Sequence, residues 1–245
     1  MVDAYSFSAA IYDRLVGTYA FEHWKENFER LRKRYDLELT TVADVACGTG
    51  LASRYLEERG ARVYAFDLSS QMLREAARAG SRGQAIKMMR QDMRYLYLPA
   101  RAPLLICASD SLNHLLRQEE VRRAINSFRA ALCPGGYAIF DMNTTWQLRE
   151  GGDGEPWEFE VEGQRMSWVS EWEEGEVTAT LMLTFYEAGE EGGELLEVHR
   201  ERAYEAEWVL EELKRAGFSH AEVLDAAGLG KVTERTRRLQ FVARC

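Results

Sequence analysis

Four short stretches of this sequence carry residues whose types and spacing could do chemistry. The first is Asp44-Val45-Ala46-Cys47-Gly48-Thr49-Gly50, which follows an apolar run from Thr41 and leads into a helix-forming stretch from Leu51. Glycine lets backbone approach a ligand through space that a side chain would fill, and an open α/β sheet binds its ligand at the carboxyl ends of its strands. The second stretch, Asp67 to Met72, begins with a carboxylate that ends an apolar run and can accept hydrogen bonds from both hydroxyls of a ribose. The third is Gln91-Asp92-Met93, where Asp92 can accept from an adenine amino group while Met93 packs on the ring. The fourth runs from Ser109 to His114. An imidazole titrating at about 6.5 suits proton removal near neutrality, so His114 is the candidate general base.

Each stretch also has a plain structural account. The glycines could form a tight turn with no ligand, an acid after a strand is commonly a helix cap, and Ser111 or Asp110 could cap a helix with His114 half-buried. The first three, followed by Leu132-Cys133-Pro134-Gly135-Gly136 as a turn between a helix and the fifth strand, point in that order to a nucleoside-type cofactor.

Periodicity supplies the elements that must position these residues. Residues 8 to 35 read as helical from Ile11, Leu15, Phe21, Trp24, Phe28 and Leu31. Strands are expected at Thr41–Ala46, Ala61–Phe66, Ala85–Arg90, Pro103–Ala108 and Gly136–Asp141. Helices fall between them at Leu51–Arg59, Gln71–Ala79 and Glu119–Leu132, with Gly60 and Gly80 as terminators and Ser69 or Ser70 as a cap. Such alternation predicts right-handed crossovers and a parallel sheet. A helix at Ala206–Ala216 and strands at Ala221–Leu224 and Arg238–Ala243 close the chain. The last two strands leave little room for a crossover, so the final one is expected to be antiparallel.

From about residue 155 the period changes to two. Trp157, Phe159 and Val161 alternate with glutamates, and Val177, Ala179, Leu181, Leu183 and Phe185 repeat the pattern. Turns are expected at Glu162-Gly163, Glu174-Gly175 and Gly189 to Gly193. The expected fold is therefore α/β: a doubly wound, seven-stranded, mostly parallel sheet with an inserted antiparallel β meander. Residues 1–154 and 201–245 would form the main domain, and 155–200 an inserted segment acting as a substrate lid or a dimerisation surface.

Composition narrows the partners. The formal net charge is −9, which lacks the basic footprint that a phosphate backbone requires, so nucleic acid is not expected as a ligand. Asp3 and Asp13 interrupt the N-terminal stretch, and no run of about 20 apolar residues suggests a membrane span. Cys47, Cys107, Cys133 and Cys245 show no CxxC spacing, so neither a metal site nor a disulfide framework is expected, and a cytoplasmic location fits.

The runs DVACGTG, FDLSSQML, QDM and LCPGGYAIFD resemble class I S-adenosylmethionine-dependent methyltransferases, particularly those acting on small molecules. The resemblance covers about residues 8 to 145, and more weakly 205 to the end. It implies S-adenosyl-L-methionine as cofactor and methyl transfer to a small-molecule acceptor by a Rossmann-like enzyme, with a homodimer possible. By the same resemblance Asp44 is the acid of the first motif, and Gly48 and Gly50 lie under the methionine moiety, with Cys47 in the same turn. Ala46 stands where the family has its first glycine. Asp67 would bind the ribose, Leu68 and Met72 flank the adenosine, and Asp92 with Met93 clamp the adenine. The Ser109 to His114 loop would lie beside the sulfonium. Tyr12 resembles a family tyrosine that closes over the cofactor, although an aromatic on an amphipathic helix equally suits a core. Two alternatives remain open here. An NAD(P)-dependent oxidoreductase would want GxGxxG, whose third glycine is Ser53 in this chain. A catalytically silent, S-adenosylmethionine-binding regulatory protein would keep the same cofactor residues.

Overall fold

The computed structural model describes residues 4–15, 17–80, 85–151, 154–161, 163–173, 175, 177–186 and 193–245. Of the turns expected in the meander, Glu162, Glu174 and 189–192 lie outside the described residues. The chain begins with a 3-10 turn (Ser8–Ile11), α1 (Tyr12–Leu15) and α2 (Gly17–Tyr35). It continues through β1 (Thr41–Val45), α3 (Leu51–Glu57), β2 (Arg62–Asp67), α4 (Ser70–Ala79), β3 (Ile86–Arg90) and β4 (Ala102–Cys107). Then follow α5 (Gln118–Ala131), β5 (Leu132–Asn143) and α6 (Thr145–Glu150). A second sheet comprises β6 (Trp157–Val161), β7 (Gln164–Glu173), β8 (Thr178–Tyr186) and β9 (Glu194–Arg202). The chain closes with α7 (Ala206–Arg215), β10 (His220–Asp225) and β11 (Arg238–Arg244).

The main sheet has seven strands in the order β10-β11-β5-β4-β1-β2-β3. Its central strands carry apolar residues on both faces because helices cover both. Val42 of β1 packs with Phe28, Leu31 and Leu56 from α2 and α3. Its neighbours Ala43 and Val45 pack on the other face with Ile125 and Phe128 of α5 and Val209 of α7. In α5 the buried residues Val121, Ala124, Ile125 and Phe128 form one stripe at helical spacing. Burying a side chain such as Phe128 is worth about 2–3 kcal/mol.

The last strand is antiparallel, as expected: β11 pairs antiparallel with both β5 and β10. Residues 226–237 between β10 and β11 form no helix, so the chain reverses rather than crossing over. The Pro134-Gly135-Gly136 turn differs from expectation. β5 starts at Leu132, directly after α5, and the glycines form an irregularity within it: Ala102 pairs with Leu132, but Leu104 pairs with Tyr137. Gly135 adopts φ +80°, and a Cβ on Gly136 would lie 2.9 Å from the Pro103 carbonyl oxygen.

The inserted sheet is an antiparallel meander in the order β6-β7-β8-β9. It extends to Arg202, two residues beyond the segment read from the sequence. Its buried Met166, Leu183 and Phe185 pack against Phe7 and Ile11 at the start of the chain. The meander thus holds the N-terminal segment between itself and the main sheet.

Candidate active site

A cleft of ≈ 690 Å³ lies where β1, β2, β3 and β4 end at their carboxyl edges. Its floor is the turn after β1. Gly48 (φ +55°) and Ala46 (φ +55°) line it in the left-handed region, whereas Gly50 (φ +80°), although read from the sequence as part of the site, does not line the cleft and faces Arg54 and Ala76 instead. Ala46 therefore keeps a glycine's backbone at the position where the resembling family has glycine. The Gly48 amide donates to Asp67 Oδ2 at 2.8 Å, and the Ser69 amide to Oδ1 at 2.8 Å. These contacts fix the carboxylate while leaving each oxygen a lone pair for a ribose hydroxyl. Burial raises the Asp67 pKa.

Asp44 lies 2% exposed behind the turn and accepts the Ser53 hydroxyl at 2.5 Å. Burial pushes its carboxyl up to about 7. Ser53, standing where a dinucleotide fingerprint has its third glycine, is thus committed to holding Asp44. Leu68 (57% exposed) and the buried Met72 line the cleft, with Ser69 capping α4 at the Met72 amide. Cys47 and Met93 also line it. Asp92 is not a free carboxylate: Arg94 Nε contacts both its oxygens at 2.9 and 3.0 Å, and this pairing lowers the Asp92 pKa. An adenine amino group would share Asp92 with Arg94.

The N-terminal segment closes the cleft. Thr49 Oγ1 donates to Asp13 at 2.5 Å, tying α1 to the glycine turn. Tyr12 lines both the cleft and a second cavity of ≈ 470 Å³ beyond it. Tyr5, Ser109, His114 and His199 also line both, so these residues stand where the two spaces meet. Burial lowers the His114 pKa. Its Nε2 lies 3.0 Å from the Tyr5 hydroxyl, and the ring also hydrogen-bonds the Arg200 backbone carbonyl.

The loop after β4 is held differently from the sequence reading. Asp110 makes no side-chain cap on the 3-10 turn Ser111–His114, and Ser111 Oγ donates to the Ala108 carbonyl. Asp110 instead accepts from Asn143 Nδ2 at 2.7 Å and Arg238 Nη1 at 3.1 Å. The same two donors reach Glu201 at 2.9 Å and Asp141 at 3.0 Å, respectively. The Ser109 and Asp110 amides bind Asp141, which orients the loop although both residues have positive φ. Asp110, Asp141, Glu201 and Arg238 all line the second cavity. Burial beside Asp110 pushes the Glu201 carboxyl upward.

Sequence reasoning missed Tyr5, Glu197, His199, Glu201, Asp141 and Arg238. A signal existed for three of them. Glu197, His199 and Glu201 alternate along β9, so a strand puts them on one face, with Arg200 and Arg202 on the other. Arg200 is 4.0 Å from Glu173 with its side chain 43% exposed, and Arg202 Nη1 donates to the Leu116 carbonyl. Glu197 is fully buried and accepts from the Phe7 amide (2.7 Å), the Ser8 amide (3.2 Å), the Ser8 hydroxyl (2.5 Å) and His199 Nε2 (2.6 Å). These bonds hold its carboxyl down at about 2.

A mostly parallel sheet with an antiparallel final strand, and a cleft at its carboxyl edge whose glycine turn has Ser53 where a dinucleotide fingerprint has its third glycine, fits a methyl-donor-binding class rather than a dinucleotide-binding one. Comparison with known proteins agrees. The family described as "Methyltransferase domain" matches residues 42–136. A putative methyltransferase, YqeM, of Bacillus subtilis is 28% identical over 87% of this chain and 86% of its own length. A glycine/sarcosine N-methyltransferase of Parasynechococcus marenigrum is 34% identical over 51% of this chain and 45% of its own. A crystal structure of an S-adenosylmethionine-dependent methyltransferase from Clostridium acetobutylicum superposes with a TM-score of 0.82 at 26% identity, covering 98% of each chain. The chain is a class I S-adenosylmethionine-dependent methyltransferase.

Proposed function

We propose that the methyl acceptor is a small-molecule amine bound in the 470 Å³ cavity. The observation that carries this reading is the cavity's charge. Among the described residues Asp110, Asp141 and Glu201 face it against one arginine, Arg238, and no lysine. An excess of carboxylate favours a cationic guest. Trp24, Trp168, Leu181 and Leu183 add an apolar wall for the rest of the molecule. The glycine/sarcosine N-methyltransferase among the relatives acts on amines by its name, which supports the same class.

In this reading Ala46, Cys47 and Gly48 cradle the methionine moiety, with Asp44 and Gly50 shaping the turn. Asp67 takes the ribose, and Leu68, Met72, Asp92 and Met93 take the adenine. Tyr12 and Ser109 flank the sulfonium. When bound, S-adenosyl-L-methionine supplies a methyl group activated by that sulfonium. The protein's work is to align the acceptor and exclude water. His114 stands at the junction of the two spaces, where it orients the Tyr5 hydroxyl. The inserted sheet serves as the lid's outer wall by anchoring the N-terminal segment. Trp157, 64% exposed on the edge strand β6, marks where a second subunit would pair. The four cysteines are free thiols, which supports a reducing cytoplasm.

Calorimetry tests the site, and acceptor turnover tests the class. S-adenosylmethionine and its demethylated product should bind while NAD and NADP do not, and Asp67→Ala should weaken binding by about 1–3 kcal/mol. Among glycine, sarcosine, amino sugars, phenols and carboxylic acids, only amines should accept the methyl group. Turnover of phenols or carboxylic acids with no amine would sink the amine assignment.

A further inference from the structure

His199 is 4% exposed, yet it lines both the cofactor cleft and the acceptor cavity. Its ring lies 4.6 Å from that of Tyr5 and 6.1 Å from that of His114, between centroids. Hydrogen bonding fixes its tautomer. Glu197 Oε1, on an ionised carboxylate that accepts from three other donors, can only accept from His199, so Nε2 carries the proton. Nδ1 is left with the ring's lone pair, on a side chain that lines both spaces. His114 is placed otherwise. Its N–H goes to the Arg200 carbonyl and its Nε2 accepts the Tyr5 hydroxyl, so neither nitrogen is available until Tyr5 turns away.

We propose that His199, oriented by Glu197, is the general base that takes the acceptor's proton. This rests on the amine reading given above. Nδ1 first takes a proton from the bound ammonium, and the lone pair so freed on nitrogen forms the bond to the methyl carbon. The carbon–sulfur bond breaks with its pair retained on sulfur, which becomes a neutral thioether. The methylated nitrogen ends as an ammonium, and the Glu197 carboxylate balances the imidazolium. The same arrangement of an imidazole held by a buried carboxylate orients general bases on unrelated folds. Here the carboxylate also binds the Phe7 and Ser8 amides, so the base is correctly held only when the N-terminal segment is seated over the cofactor. An acceptor thus meets a working base only in the closed site.

Two measurements on the full chain decide the matter. In nitrogen-15 spectra of histidine-labelled protein with S-adenosylhomocysteine at pH 8, His199 should show the Nε2–H tautomer and His114 the Nδ1–H tautomer, assigned with His199→Asn and His114→Asn. A proton on His199 Nδ1 would overturn the proposal whether or not an acceptor has been found. With whichever panel amine turns over, His199→Asn should lose about 10²–10⁴-fold in kcat, while S-adenosylmethionine affinity changes less than about threefold. Wild-type turnover by His199→Asn, with His114→Asn inactive, would return the role to His114. If no amine is turned over, the amine reading fails, and the tautomer measurement still decides how His199 is held.

Discussion

The Glu197 clasp makes a quantitative prediction. Glu197→Gln keeps size and shape but replaces one acceptor oxygen by an amide that cannot accept from Ser8 or His199. In the folded chain the carboxyl sits at about 2 against an ordinary 4.5. At 1.36 kcal/mol per pH unit, that difference favours the folded state by about 3 kcal/mol at pH 7. Because the folded value is lowered, the contribution is complete above the unfolded pKa and fades as the pH falls toward 2; linkage leaves about 2 kcal/mol at pH 3.5. For a chain of this length 1 kcal/mol moves Tm by about 2–4 °C, so the variant should melt roughly 6–12 °C below wild type at pH 7. Urea titrations at pH 7 and pH 3.5 should show the stability gap narrowing by about 1 kcal/mol. Limited proteolysis at pH 7 should also cut the variant earlier within residues 4–15, which the carboxylate no longer holds. A gap that is absent at pH 7, or equal at both pH values, would refute the account of Glu197 as an ionised, hydrogen-bonded anchor.

Two further outcomes follow from the cofactor turn. Burial raises Asp44 from 3.8 to about 7, so the folded state holds its proton more tightly and loses stability as the pH rises through that window. Asp44→Asn should therefore be stabilising at pH 8, by up to about 4 kcal/mol, and nearly neutral at pH 3. The same variant should bind S-adenosylmethionine more weakly, and thermal melts paired with calorimetry read both effects. Ala46 holds φ +55°, where an L side chain is disfavoured, so Ala46→Gly should raise stability by roughly 1 kcal/mol in a urea melt. An unchanged midpoint would mean the turn accommodates the Cβ without strain.

The sequence by itself determined what is local. A glycine turn between an apolar run and a helix, acids ending successive strands, and a period of two after residue 155 each depend on neighbours within a few positions. They sufficed for the seven-stranded sheet and its antiparallel last strand, and the residues read at those turns line one cleft except Gly50. Even the Ser69 cap was legible, since Ser, Asp and their like announce helix starts. The glycines after α5 were visible too. What they do depended on the register of β5 against β4, which no local pattern records.

Only the tertiary structure decided which polar side chains meet. Tyr5 reaches His114 across 109 positions of sequence, and Glu197 reaches Phe7 across 190. A glutamate on a strand in an acidic chain is ordinarily solvated, and nothing near Glu197 in sequence announces that the N-terminal segment will cover it. Once covered, the desolvated carboxylate must find donors, and the Phe7 and Ser8 amides together with His199 provide them. Arg238 likewise meets Asp110 and Asp141 only because β11 runs back antiparallel beside β5. The cleft over the glycine turn is built mostly from consecutive turns of one sheet edge and so is written locally. The second cavity is assembled from the chain's start, its inserted sheet and its last strand, and its pattern of charge exists only where those three converge.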